Sequence, residues 1–258
     1  MIEKIIPTES HKRRALLILK DSELNILKQS DEFKPYLFSD EITVIEYPAC
    51  MDIEQESDSF NNLKASDLIR PNSILVQSPY DKDVYVQYDK ATETFAIEKV
   101  HMFSKLCQLL GSKHVETEQV EINRGDRTST FSLKAGQESS AIGFVGDIES
   151  KNNLAFTREF RVSSQMVGAE ADIEAAIEFL REKHLYGDEA MRNLVELRSH
   201  QKNPILEHRV TISLTSEVSS ALNVVAKMKL PESFSVGAGY ISKSNKEEEY
   251  LLTLHVRF

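Results

Sequence analysis

Tryptophan is absent from this 258-residue chain, and cysteine, proline and glycine are scarce, at two, seven and nine residues. Two cysteines, Cys50 and Cys107, are too few for a disulfide scaffold, and no CxxC pair offers a zinc-ribbon site. Both sit beside apolar residues and read as buried thiols. Sparse glycine and proline leave no flexible or stiff linker, and no internal repeat or low-complexity tract divides the chain. One continuous unit over 1–258 is therefore expected. Its possible subdivision falls near residue 92, with an N-terminal α/β part (1–92) and a β-rich part carrying a helical pair (93–258).

No apolar run approaches the ~20 residues that a membrane-spanning helix needs. The opening MIEKIIPTESHKRR lacks the apolar centre of a secretory signal, so the cytoplasm is the expected compartment. Excess positive charge is missing too. Against 41 Asp and Glu stand 31 Lys and Arg, a formal charge of -10. Such a charge disfavours non-specific attraction to nucleic acid or anionic lipid. The local exception, His11-Lys12-Arg13-Arg14, reads as a charged entrance to a strand. Basic and aromatic residues do not interleave, so no single-strand nucleic-acid platform is marked.

Several chemistries lack their residues. Phosphate loops need glycines that let backbone N–H groups approach the anion. Gly143 to Gly146 (GFVG) and Gly237 to Gly239 (GAG) come nearest, yet neither carries the Lys-Ser/Thr that completes a nucleotide site. The histidines form no HxxxH or HExxH pattern, and Cys107 with His114 is a weak pair for a metal. Asp52, Glu54, Glu56 and Asp58 alternate like calcium ligands, but Ser57 replaces the required glycine and Leu63 the bidentate glutamate. They read as a solvated acidic loop, Asp52 to Asn62. A GxSxG elbow is absent. No cofactor and no metal are expected. The residues that could build a dispersed hydrolytic site are Glu116, Glu118 and Glu121 with Lys134, or with His184 and His200.

The chain does carry periodic order. Arg14 to Lys20, Ile42 to Ile45 and Ser73 to Pro79 read as strands. Val84, Val86 and Tyr88 alternate in a fourth. Thr94 is placed to cap a helix reaching Leu110, which puts Ile97, Val100, Phe103 or Ser104, Cys107 and Leu110 at helical spacing, with Gly111 as its stop. HVETEQVEIN and RTSTFSLKA flank Arg124-Gly125-Asp126, an adhesion tripeptide that here reads as a hairpin turn. SSAIGFVGDIE and NLAFTREFRVSS read as two more strands. Helices follow over Ala171 to His184 and Asp188 to His200. Hairpin-spaced strands with grouped helices predict an α+β fold, mainly antiparallel sheet with long C-terminal amphipathic strands and helices packed on one side.

The stretch Val210 to Leu230 alternates apolar or small residues with polar ones, at period two. It is expected as one bent amphipathic strand, paired with Ser233–Lys243 and followed by Glu248–Phe258. Val218, Leu222 and Val225 also fit helical spacing, which is the competing reading.

No motif carries a reaction, so a non-enzymatic cytosolic protein is expected, acting through protein–protein binding or self-assembly. Two alternatives stand beside it. One is a conditional pore-forming effector using the long strands. The other is a nuclease-like or other hydrolase built on the dispersed acids.

Overall fold

A computed structural model of the chain describes residues 6–31, 34–37, 39–48, 58–124, 127–133, 141–142, 159–200, 202–227 and 248–258. The chain forms two compact units, one of residues 1–94 with 217–246, the other of residues 95–216 with 247–258. The fold is α+β with antiparallel sheet.

The first unit is built on β1 (Ala15–Lys20), whose residues Ala15 to Leu19 are all buried. A continuous apolar run of this kind suits a strand covered on both faces. β2 (Ile42–Tyr47) lies parallel to β1, and β3 (Ser73–Gln77) lies antiparallel on its other side. β4 (Tyr85–Gln87) follows at the edge, giving the order β2-β1-β3-β4. A parallel pair needs a crossover, and α1 (Asp21–Gln29) with the short α2 (Lys34–Leu37) lies within it. Leu24 and Leu27, one turn apart, are the buried stripe of α1. In α3 (Asp58–Ala65), Phe60 and Leu63 enter a cluster with Leu16, Ile18, Ile45 and Leu75. Each such side chain stabilises the unit by about 1.5–3 kcal/mol.

In the second unit β5 (His114–Arg124) and β10 (Glu248–Arg257) are central. β6 (Arg127–Ser132) and β7 (Ala141–Ile142) extend one side, and β9 (Glu207–Ser213) flanks β10, giving β7-β6-β5-β10-β9. β8 (Ser163–Gln165) pairs with the start of β5. Val115, Val120, Ile122, Tyr250, Leu252, Leu254 and Val256 alternate into the core. Register shifts between Thr253 and Leu254, leaving Glu118 as the extra residue of a β-bulge. α5 (Ile173–Glu182) buries Ala176 and Leu180, and α6 (Glu189–Ser199) buries Met191, Leu194 and Val195. Asp172 and Asp188 cap them by accepting from the N–H groups of Ala175 and Met191. α4 (Ala91–Leu109) starts three residues before Thr94 and buries Phe95, Ala96 and Lys99, while Ile97 is half-buried.

Val210 to Leu230 is not one strand. β9 ends at Ser213, and α7 (Ser216–Ala226) follows. The ladder stops because Thr215 Oγ1 accepts from the Tyr250 N–H at 3.2 Å, where the next strand bond would form. Val218, Ala221, Val224 and Val225 then face inward at helical spacing, while Ser220 is exposed. Glu217 in the first turn suits the positive end of the helix. The expected partner strand, Ser233–Lys243, lies outside the described residues.

Other differences are smaller. Asp58 to Asn62 belong to α3 rather than to an acidic loop. His11 to Arg13 lie in a 3-10 turn, Ser10–Arg13, with Arg13 buried. In β4 it is Tyr85 that points inward, while Val84 is 42% exposed. Phe160 and Val162 are not in a strand; among the described residues of that segment the strand is Ser163–Gln165. Among the described residues, no helix is long and apolar enough to cross a membrane.

Candidate functional site

The polar face of the second unit's sheet gathers its charged residues. Strand alternation turns His114, Glu116 and Gln119 of β5 away from the core, with Thr253, His255 and Arg257 of β10 opposite them. Cross-strand partners then form rows. Glu116 stands beside Ser163 on one side and His255 on the other, with Arg209 of β9 beyond. His114, Arg257 and Glu207 make the next row.

Among the described residues, three ionic contacts of this face join opposite types. His114 Nε2 lies 3.3 Å from Glu116 Oε2, and His255 Nε2 lies 2.5 Å from Glu207 Oε1. Arg209 holds Glu118 side-on, through Nε at 2.5 Å and Nη2 at 2.9 Å. That hydrogen bond and the Glu118 charge raise the Arg209 pKa. The bulge sets Glu118 between the register positions of Thr117 and Gln119 on β5. Thr211 and Thr253 share a hydrogen bond of 2.9 Å, and Gln119 Nε2 donates to Glu121 at 2.6 Å. His114 Nδ1 is buried and has no hydrogen-bond partner among the described residues.

The three glutamates singled out in the sequence therefore share one strand and meet partners on that sheet. Lys134 lies outside the described residues, as do Gly143 to Gly146, Gly237 to Gly239, Cys50 and the Gly125-Asp126 turn. His184 and His200 are exposed, the first in the turn after α5 with φ +56°, the second as the C-cap of α6. His114, His255 and Arg209 were the missed members. Their signal was the alternation itself, which puts His114 on the face of Glu116 and His255 opposite the Tyr250 to Phe258 ladder.

The outer edge of β9 is the second feature. Leu206 O accepts from Phe258 N–H and Leu214 N–H donates to Tyr250 O, both at 2.8 Å. Even-numbered residues between them thus exchange backbone bonds with β10, and the N–H and C=O groups of Glu207, Arg209, Thr211 and Ser213 point outward. Among the described residues no strand pairs with that edge. Arg198 positions its approach. Its Nε donates to Leu110 O at 3.1 Å and its Nη1 to Ile205 O at 3.0 Å, and it stacks 4.6 Å over the Phe258 ring.

The first unit holds a buried polar network instead. Arg13 donates to Asp83 at 2.7 Å, Lys82 O at 3.0 Å and Tyr85 Oη at 3.1 Å, and Ser59 donates to Asp83 at 2.8 Å. Burial lowers the Arg13 pKa, but Asp83 and Tyr85 outweigh it and the net shift is upward. Beside it a cavity of about 290 Å³ is lined by Arg14, Gln77 and Ser220 among others. Arg14 is committed to Glu41 and to the Ser220 carbonyl. Cys107 is buried, which pushes its thiol pKa up and leaves it unreactive. Among the described residues no group of three His, Cys, Asp or Glu could hold a metal ion. Comparison with protein families, curated proteins and solved structures found no match.

Proposed function

We propose that this is a non-enzymatic cytosolic protein that acts by binding, joining a protein partner or further copies of itself through the second unit's sheet. The observation that supports this is the outer edge of β9, a row of outward N–H and C=O groups beside an exposed Leu206. Such an edge templates pairing with another chain, and strand addition is a recurrent mode of recognition. The net charge favours protein over nucleic acid as partner. Light scattering across concentration, with pull-down from the source cell, tests the reading. Self-association or a captured partner supports it. A strict monomer that captures nothing contradicts it.

A second reading, a hydrolase, is favoured by the two imidazole–carboxylate pairs, His114–Glu116 and His255–Glu207. A carboxylate that orients a histidine is a common arrangement in acid–base catalysis. Its test is hydrolysis of model phosphodiesters and esters, with H255A and E116Q as controls. Turnover that both variants lose would favour it over binding.

A further inference from the structure

We propose that the partner of β9 is β9 of a second copy, the two strands running antiparallel about a two-fold axis at His208. This rests on the edge-binding reading above and names its occupant.

The argument begins with spare bonding capacity. Arg209 uses Nε and Nη2 on Glu118, and Glu207 uses Oε1 on His255. Arg209 Nη1 and Glu207 Oε2 form no hydrogen bond among the described residues, although the Glu207 charge of the same copy also acts on Arg209. Both side chains remain open to solvent, at 63% and 64%. A donor and an acceptor two residues apart on one face of an edge strand are self-complementary under a two-fold axis.

Backbone parity then restricts the register. Only odd-numbered residues point their N–H and C=O groups outward, so odd must face odd across the new ladder. An axis at His208 sets Glu207 opposite Arg209 of the second copy, and Arg209 opposite its Glu207. It also sets Leu206, 69% exposed, opposite Val210. An axis at Arg209 would oppose two like charges, which is destabilising. An axis at Val210 would place Glu207 against Ser213 and Arg209 against Thr211, leaving the two spare groups unmatched.

The test is disulfide trapping combined with charge exchange, in the full chain carrying Cys50→Ser. In the proposed register His208 faces its own copy as a non-hydrogen-bonded pair, with Cα atoms roughly 4.5 Å apart, within disulfide range. Under mild oxidation His208→Cys is expected to give a covalent dimer, while Leu206→Cys and Val210→Cys alone do not. Arg209→Glu or Glu207→Arg is expected to weaken self-association about tenfold or more, and the double exchange to restore it to within about threefold. A heterologous partner would show no such rescue. A disulfide at Val210, or no disulfide at His208, overturns the register even where light scattering reports a dimer. If the wild-type protein is monomeric but captures another protein, the second copy is overturned while edge binding stands. A monomer without partners overturns both.

Discussion

Lys99 Nζ lies 2.7 Å from Asp188 Oδ2, with the lysine side chain fully withdrawn from solvent and the aspartate 8% exposed. Lys99 also donates to Ser216 Oγ at 3.3 Å. One ion pair thus joins the middle of α4 to the cap of α6 and to the residue that opens α7. Removing one member strands the other in the interior. Lys99→Met is expected to cost about 3–5 kcal/mol, read as a lower midpoint in urea denaturation. A loss below ~1 kcal/mol would show that the pair is solvated.

Gly111 ends α4 with φ +75°, and a Cβ built there would meet the Ala169 carbonyl oxygen at 2.1 Å. Neither the left-handed backbone nor that approach tolerates a side chain. Gly111→Ala is expected to destabilise the second unit by about 2–4 kcal/mol, since strain and clash add. Thermal unfolding checks this, and an unchanged midpoint would refute it.

Thr117 is buried beside the bulge, where its hydroxyl donates to Phe160 O at 2.8 Å and accepts from Val162 N–H at 3.0 Å. Thr117→Val keeps the shape but leaves the buried Phe160 carbonyl and the half-buried Val162 N–H without that partner. The expected cost is about 1–3 kcal/mol. Faster backbone hydrogen exchange at Val162 would accompany it, and an exchange rate equal to wild type would contradict the role.

Arg13 and Ser59 hold the Asp83 carboxyl below its usual range. The unfolded carboxyl titrates near ~3.9. Asp83 therefore contributes stability above that pH, and the contribution is lost as pH falls through the lower folded value. With the carboxylate side chain 64% exposed, the effect is small. Urea titrations between roughly pH 2 and 5 are expected to show a shallower acid decline for Asp83→Asn than for wild type. Parallel curves would contradict this. Tyr85 runs the other way. Burial raises its phenol pKa despite Arg13, so its contribution is present below ~10 and lost as pH rises through the folded value.

Elements whose burial has a single period were legible in the sequence. The β5–β6 hairpin, the helices α5 and α6, and the Tyr250 to Phe258 ladder follow from alternation or helical spacing alone. Val210 to Leu230 satisfied both periods, and what separated them was tertiary: the Thr215 hydroxyl taking the Tyr250 N–H and the anchoring of Ser216 by Lys99. Lys99 itself gave no sign of burial, because its partner Asp188, the cap of α6, is distant in sequence. With α7 a helix, the long strand that motivated a pore is not present, and edge binding does not depend on it. Glu116, Glu118 and Glu121 were legible as candidates. Their partners were not, because register across strands distant in sequence decides which histidine or arginine faces each acid.

The most direct test of β9 pairing with β9 of a second copy is the solution mass of the wild-type chain beside Thr211→Pro. Proline removes an outward N–H and keeps the backbone bonds to β10, losing only the side-chain bond to Thr253, a change that edge strands tolerate. The account predicts that wild type approaches twice its 29.3 kDa as concentration rises, while the folded variant stays at that single mass. A wild type that remains at the single mass, or a variant that associates equally well, would contradict it.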